Sequence, residues 1–231
     1  MALIIRIDVD RPYGKNPFLR HALSKLSSGV YFPRIPKFGY LRELEVILQT
    51  LNQRKAKAYV FFRRCTLPSE SILELIRKGQ HEVGLHLEDS RTFESFVKEK
   101  KLLEEHIGER VIAVSKHGSG TEKYGLRHYA PYEPDKYVEW ARRTRMKLFL
   151  GNLEDPSIGP STDETDFHVY PSAFWLEPAW RKTDVFTIEW LLSQASLADV
   201  VLLIHPENVL SSPVLITDLE RLLTHHETKI L

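Results

Sequence analysis

The chain of 231 residues has the composition of a globular protein, with 42% hydrophobic residues, 27% charged residues and a formal net charge of +1. A chain of this length can bury a sizeable core as one large domain or two small ones. The near-neutral charge does not indicate the basic surface expected of a nucleic-acid-binding protein. Cys65 is the one cysteine, which excludes an internal disulfide and is compatible with a reducing compartment. The sequence shows neither a secretory leader nor an apolar run of about 20 residues, so it predicts a cytoplasmic protein without a membrane span.

The first ten residues, MALIIRIDVD, alternate between two faces as a β-strand does. Arg6, Asp8 and Asp10 share one face, and apolar residues occupy the other. Two carboxylates on one face at the end of a strand repel each other. The pair therefore indicates a metal ion, a general base, or one of each.

A long connection with a basic bias follows, from Arg11 to Gly39, and has no acidic residue before Glu43. Its length and charge are unusual for a loop between a strand and a helix. One interpretation is a surface excursion with a short helix over 18–26. The other is a lid that offers cations, Arg11 among them, to an anionic substrate.

From residue 40 onward, helical patterns alternate with strand patterns. Apolar residues spaced three or four apart, with Gly or Pro near the ends, predict the helices, and short apolar runs predict the strands. The predicted helices cover 40–51, 69–79, 91–107, 133–146, 183–195 and 213–226. The predicted strands after the first cover 58–62, 81–87, 111–115, 147–151, 167–171 and 200–204, and 152–166 is predicted to be a loop.

Seven short strands mostly separated by helices predict an α/β protein with a parallel sheet. No change in composition marks a linker, so we expect a single domain over residues 1–231. The sheet could be open and doubly wound or closed into a TIM-like barrel. The candidate reactive residues lie at the carboxyl ends of four predicted strands: Asp8 and Asp10, His86, His117, and His205. These ends converge on one mouth in a parallel barrel, which favours the barrel.

A carboxylate oxygen with imidazole nitrogens is a ligand set for first-row metals such as Zn, Co, Ni or Fe. We predict Asp10 and His86 as ligands. A metal ion lowers the pKa of a bound water towards about 7, so Asp8 is predicted to act as general base and His205 as general acid. Each residue alone also has a structural explanation, as a turn, a cap or a packed histidine. Strand parity further predicts a buried ion pair inside the barrel between Arg6 and Glu82.

The segments IDVD, QHEVGLH and LLIHP are similar to three motifs of the polysaccharide deacetylase superfamily, the NodB-homology or carbohydrate esterase 4-like proteins. The resemblance covers nearly the full length of the chain. It implies a distorted (β/α)7 barrel and a divalent metal used to hydrolyse N- or O-acetyl groups. It also implies that Asp8 is the base, that Asp10 and His86 bind the metal, and that His205 is the general acid.

The chain departs from the motifs of this family at several positions. Ser90 stands where the family usually has a second metal-binding histidine, and SKHGSG replaces the third motif, which carries Arg-Pro. From this resemblance we predict His117 as the third ligand and Lys116 as a cation near Asp8. Candidate residues of the fourth motif are Asp155, Trp175 and Glu177. The predicted substrate-binding residues are Arg11, Lys116, Trp175 and Glu177.

The predicted function is a metal-dependent deacetylase or amidohydrolase of carbohydrate metabolism, in which metal-bound water attacks an acetyl group. Zinc is the first choice of metal, with Co, Ni, Fe or Mn as alternatives. The expected partner is a small-molecule or oligosaccharide substrate, with or without a phosphate group, and neither nucleic acid nor a membrane span is expected. Two alternatives stay open: a non-catalytic barrel that binds a sugar or a protein, and a different metal hydrolase such as a phosphoesterase.

Overall fold

In a computed structural model that describes residues 2–14, 22, 23, 26, 34–153, 155–164 and 166–231, the chain folds around one β-sheet. The strands of the described residues are β1 (Leu3–Val9), β2 (Ala58–Phe62), β3 (Glu82–Leu87), β4 (Ala113–Lys116), β5 (Leu148–Leu153), β6 (Thr162–Glu164), β7 (Phe167–Ser172), β8 (Phe174–Trp175) and β9 (Val200–Ile204). The α-helices of the same residues are α1 (Arg42–Gln53), α2 (Glu70–Gly79), α3 (Phe93–Ile107), α4 (Pro134–Arg143), α5 (Ile188–Ala195), α6 (Pro206–Val209) and α7 (Pro213–His225).

The sheet is parallel except at one edge. The strand order is β6-β7-β5-β4-β3-β2-β1-β9-β8, and the β6–β7 pair alone is antiparallel within the described sheet. β7 and β8 lie near opposite ends of this order, yet Ala173 is the one residue between them in sequence. The chain therefore joins the two ends of the sheet and curls it into a nearly closed barrel. β7 and β8 together fill one position between β5 and β9, which gives seven positions, so the predicted distorted (β/α)7 TIM-like barrel is confirmed.

The barrel has two apolar layers because strand side chains alternate in direction. The outer layer lies between the strands and the helices, and contains Ile5, Ile7, Val60 and Leu202. The inner layer fills the barrel and is formed by the alternate residues Ile4, Tyr59, Phe61, Ala113, Leu148, Leu150, Tyr170, Ala173, Val201 and Leu203. Arg6 and Asp8 continue this inward row of β1 and are both buried. The carboxyl end of the barrel is therefore the polar end.

The predicted elements differ from the structure mainly at their ends. The helix predicted to start at 183 starts at Ile188, where the hydroxyl of Thr187 caps it by accepting a hydrogen bond from the backbone N–H of Trp190. The region predicted to be a loop contains β6, and β8 and α6 were not predicted. The predicted helix over 18–26 and the predicted lid fall largely on residues outside the described ranges. In the described part of the chain, no helix is both long and apolar enough to cross a membrane.

Candidate metal centre

The carboxyl ends of four parallel strands bring the predicted reactive residues together. Asp10 directly follows β1, His86 is the fifth residue of β3, His117 directly follows β4, and His205 directly follows β9. Pairing of β3 with β4 sets His86 opposite Ser115. All four side chains therefore reach the same end of the barrel.

Asp10, His86 and His117 form a tight triangle of possible metal ligands. Asp10 Oδ1 is 3.1 Å from His86 Nε2 and 3.0 Å from His117 Nδ1, and the two nitrogens are 3.2 Å apart. Ligands about 2.0–2.1 Å from a tetrahedral zinc ion lie about 3.3 Å from one another. The spacing and the O,N,N donor set therefore fit a first-row divalent metal.

Neighbouring groups orient the two imidazoles. His86 Nδ1 is 2.7 Å from Ser115 Oγ, which turns Nε2 of the same ring towards Asp10. His117 Nε2 is buried and has no hydrogen-bond partner among the described residues, while its ring contacts Tyr124 and His128. A proton on that nitrogen leaves His117 Nδ1 with the lone pair that a metal ligand needs.

Burial and the neighbouring charges favour unprotonated ligands. Burial raises the pKa of Asp10, but the charges and hydrogen bonds of His117 and His86 outweigh it and hold that pKa well below its usual value. Burial, together with the charge of Arg63, lowers the pKa of His117 well below its usual value, against the pull of Asp10. The triangle therefore offers the carboxylate of Asp10 and the neutral imidazole of His117 at neutral pH, which are the forms that bind metals.

Arg6 holds Asp8 from inside the barrel. Its Nε and Nη2 donate to Asp8 Oδ1 and Oδ2 at 2.8 and 2.6 Å, and its Nη1 donates to the carbonyls of Leu150 and Gly151 on β5. Asp8 Oδ2 is 3.6 Å from His86 Nε2. The predicted ion pair between Arg6 and Glu82 is wrong, because the guanidinium instead reaches the carboxylate two residues further along its own strand.

His205 is held by Glu177 on the other side of the triangle. Glu177 Oε1 is 2.9 Å from His205 Nδ1, and it also accepts hydrogen bonds from the backbone N–H of His205 and from Asn208 Nδ2. His205 Nε2 is therefore the nitrogen that faces the centre, 3.7 Å from Asp10 Oδ2. Burial lowers the pKa of His205, but the hydrogen bond and charge of Glu177, aided by Asp10 and Asp8, raise it to about 10.

Of the four predicted substrate-binding residues, Trp175 lies at the edge of the centre, while Arg11 and Glu177 contact other residues of the protein. Trp175 is half-buried and its ring lies 5.4 Å from that of His205, so it borders the centre. Arg11 Nε is 3.8 Å from Glu207 Oε1, which ties the segment after β1 to α6. Glu177 is buried against His205, a position that orients the imidazole rather than exposes a carboxylate to substrate.

Lys116 is not the predicted cation near Asp8. Ser115 faces His86, so the next side chain on β4 points to the opposite face, and Lys116 Nζ donates to the carbonyl of His117 at 2.6 Å. Its side chain is buried, with His128 Nε2 at 3.0 Å. Strand parity in the sequence already contained this information.

Ser90, at the position of the family's second histidine, also turns away from the centre. It is buried, and its Oγ is 3.2 Å from the hydroxyl of Tyr137 on α4. Asp155, the remaining candidate of the fourth motif, is exposed and its backbone carbonyl accepts a hydrogen bond from Ser172 Oγ. The structure therefore brings His117, and neither of these residues, to Asp10 and His86.

Sequence reasoning did not find the buried ion pair that supports Asp10. Arg63, which follows β2, donates to the backbone carbonyl of Asp10 at 2.8 Å, and its Nη2 forms a short ion pair with Glu88. Both side chains are almost fully buried. The sequence did contain a signal for this pair, because Arg63 directly follows β2 and Glu88 directly follows the neighbouring strand β3.

No protein-family model matches the chain, and no curated protein matches it by sequence. Solved structures match it in three dimensions at low identity. The chitin deacetylase of the fungal pathogen Colletotrichum lindemuthianum gives a TM-score of 0.50 with 10% identity, over 98% of this chain and 84% of that one. A protein of Parabacteroides distasonis, described as a candidate glycoside hydrolase/deacetylase, gives 0.52 with 10% identity, over 96% and 66%.

A mutant of a CE4 family pseudoenzyme with restored enzymatic activity gives a TM-score of 0.49 with 13% identity, over 95% of this chain and 62% of that one. The chain thus spans less than two thirds of that structure. The matches at a TM-score of 0.50 and above show that the chain has the fold of deacetylase barrels. The resemblance that the sequence motifs indicated is confirmed for the fold.

Proposed function

We propose that this chain is a single-domain, metal-dependent deacetylase that hydrolyses the acetyl amide or ester of a sugar or a sugar-containing precursor. The observation that carries the proposal is the triangle of Asp10, His86 and His117, whose ligand atoms lie 3.0–3.2 Å apart beside an aspartate and a histidine held for proton transfer. Three protein ligands with room for a fourth are typical of catalytic rather than structural metal sites. The deacetylase fold supports the same reaction class.

Asp10, His86 and His117 would hold the metal, with zinc as the first choice from the donor set. When bound there, such an ion supplies Lewis-acid chemistry towards an acetyl carbonyl and a nearby water. Arg63 fixes the backbone of Asp10, and Ser115 fixes the ring of His86. The chain therefore presents its ligands without a large rearrangement.

Asp8 acts as the general base. Arg6 binds both of its oxygens, which fixes the orientation of the carboxylate, and each oxygen retains a lone pair for a proton. The carboxylate lies beside His86, on the barrel side of the triangle. From this position it takes the proton that water loses as the oxygen of that water adds to the acetyl carbon.

His205 acts as the general acid. Glu177 holds Nδ1 and stabilises the protonated ring, so Nε2 carries its proton towards the centre. As the bond between the acetyl carbon and the substrate nitrogen or oxygen breaks, that atom receives the proton of Nε2. Acetate and a free amine or hydroxyl are the products.

Trp175 offers a stacking surface for the sugar ring. It lies beside His205, and Trp180, whose ring is 6.1 Å further out, is 60% exposed. Aromatic faces in this position present apolar area with a defined geometry. A pyranose ring packed there would hold its acetyl group near the proton donor.

Metal content and acetate release test the proposal together. Purified wild-type chain should contain about one zinc or other divalent ion and release acetate from N-acetylglucosamine oligomers or N-acetylglucosamine 1-phosphate. His86→Ala and His117→Ala should lose both the metal and the activity. Ser90→Ala is the matched control and should retain both, because Ser90 faces Tyr137.

Unchanged metal content in His117→Ala would show that His117 is not the third ligand. Metal without acetate release would instead favour a barrel that binds a sugar or a protein without catalysis. One observation supports that second function: the usual ligand position carries Ser90, which turns away from the centre. Phosphate release without acetate release would indicate a phosphoesterase.

A further inference from the structure

A cleft lies on the rim of the barrel, outside the metal triangle. This rim cleft has a volume of about 450 Å³ and lies between the turn at Arg64–Thr66, helix α3 and the loops that follow β3 and β4. Ligand pockets in proteins measure about 300–1,000 Å³. The rim cleft is therefore large enough for a small molecule rather than for a single ion.

Positive charge predominates in the rim cleft. Its five basic residues come from four separate segments: Arg64, Arg91, Lys98, Lys101 and Arg127. The three acidic residues that line it are Asp89, Glu99 and Glu105. Cations that converge from different segments on a concave surface create a local field that attracts anions.

The acidic residues are already engaged within the protein, two of them by cations of the same cleft, so its basic residues exceed its acidic ones by two. Both oxygens of Asp89 accept hydrogen bonds from the guanidinium of Arg91, and Glu105 lies 3.5 Å from Lys101 one helical turn away. Glu99 accepts hydrogen bonds from two backbone N–H groups, those of Glu88 and Asp89. Burial raises the pKa of Glu99 to about 7, so its negative charge is incomplete at neutral pH.

The rim cleft lies at the same end of the barrel as the metal triangle. Arg64 comes two residues after β2, and Asp89 comes two residues after β3 and three after His86. Three residues of extended chain span at most about 10 Å. The part of the rim cleft at Asp89 therefore lies within about 10 Å of His86, measured between their Cα atoms.

We propose that the rim cleft binds the phosphate or diphosphate of a phosphorylated sugar while the acetyl group of that sugar occupies the metal triangle. Arginine guanidinium groups bind phosphate oxygens in pairs, and lysine adds a point charge. The placement of the acetyl group at the metal triangle rests on the proposed deacetylase function. Binding of phosphate alone needs no catalysis and can be measured independently.

The probes are inorganic pyrophosphate, N-acetylglucosamine 1-phosphate and uncharged N-acetylglucosamine, each titrated calorimetrically into the full chain. The test variants are Lys98→Glu and Arg127→Glu, whose side chains are exposed and leave the core untouched. The matched controls are Lys78→Glu and Lys123→Glu, exposed residues outside the rim cleft that change the net charge equally. His86→Ala reports on binding at the metal triangle.

We expect the two test variants to weaken binding of both phosphate probes about tenfold or more, and the two controls to change it less than twofold. Binding of N-acetylglucosamine should not change. Equal weakening by all four variants would overturn the proposal, because it would show only a general effect of net charge. Loss of pyrophosphate binding in His86→Ala with retention in Lys98→Glu would overturn it as well, by placing the anion at the metal triangle.

Failure of this inference can be distinguished from failure of the deacetylase function. If the controls and the test variants bind pyrophosphate alike but acetate release persists, the rim cleft is not the phosphate site and the enzyme assignment stands. If Lys98→Glu loses pyrophosphate binding and no acetate release occurs, the phosphate site stands and the reaction is a different one.

Discussion

Replacing Arg6 with methionine tests whether the interior of the barrel depends on the Arg6–Asp8 pair. Arg6 is fully buried and donates four hydrogen bonds, two to Asp8 and two to backbone carbonyls of β5. Methionine keeps much of the apolar length but removes every donor. The variant leaves the carboxylate of Asp8, which is 2% exposed, inside the barrel without its cation.

The expected cost is large because a buried charge loses its partner. Breaking a buried ion pair by removing one member destabilises proteins by about 3–5 kcal/mol. A chain of this size loses about 2–4 °C of midpoint for each kcal/mol, so the midpoint should fall by about 10 °C. Arg6→Met/Asp8→Asn removes the uncompensated charge as well, and should recover at least half of the loss.

Urea denaturation followed by tryptophan fluorescence, together with thermal melting, measures these differences. Arg77→Met is the matched control, since Arg77 makes its ion pairs with Glu70 and Glu109 in solvent, and it should leave the midpoint nearly unchanged. The reasoning is refuted if Arg6→Met and Arg77→Met have the same midpoint. It is also refuted if Asp8→Asn fails to relieve the loss in the double variant.

Three further predictions concern other parts of the structure. Glu177→Gln removes the negative charge that stabilises the protonated ring of His205, so kcat for acetate release should fall about 10- to 100-fold with little change in KM. A rise in KM alone would show instead that Glu177 binds the substrate. Burial lowers the pKa of His81 from 6.5 to about 4, so the unfolded chain binds a proton at this residue at a higher pH than the folded chain does. The free energy of unfolding should therefore fall as the pH drops from 6.5 to 4, by up to about 1.4 kcal/mol per pH unit. If the free energy of unfolding of His81→Gln has the same pH dependence as that of the wild type, this prediction is wrong. A Cβ at Gly151 would lie 2.2 Å from a backbone carbonyl oxygen of β7, so Gly151→Ala should lower the free energy of unfolding, measured in urea, by about 2–3 kcal/mol. The control is Gly120→Ala, which should match the wild type because a Cβ there would have nothing within 4 Å.

The strands that could be predicted to the residue are those with both faces buried. β2 and β9 are runs of five apolar residues, so sequence alone marks both of their ends. β6 and β8 are three and two residues long, and they exist because a neighbouring strand happens to lie beside them. Two or three residues are too few to predict a strand, even where they are Phe174 and Trp175, so only the closed sheet reveals β6 and β8.

The same difference applies to the candidate site. The meeting of Asp10, His86 and His205 could be predicted because the carboxyl ends of parallel strands converge. The hydrogen-bond partners of these side chains could not be predicted, because they depend on side-chain rotamers and loop conformations that the sequence pattern does not determine. Lys116 is the instructive error, because the alternation of side chains along β4 already placed it on the face opposite Ser115.

The peptide around Ala173 has a consequence for the integrity of the whole molecule. β7 and β8, the outermost parallel strands in the order of the sheet, are joined here by the peptide chain and not by a ladder of hydrogen bonds. Ala173 is buried, so a protease reaches this link only in molecules whose barrel has opened locally. The rate of cleavage here would therefore report how often the barrel opens between β7 and β8, next to the segment that carries Glu177.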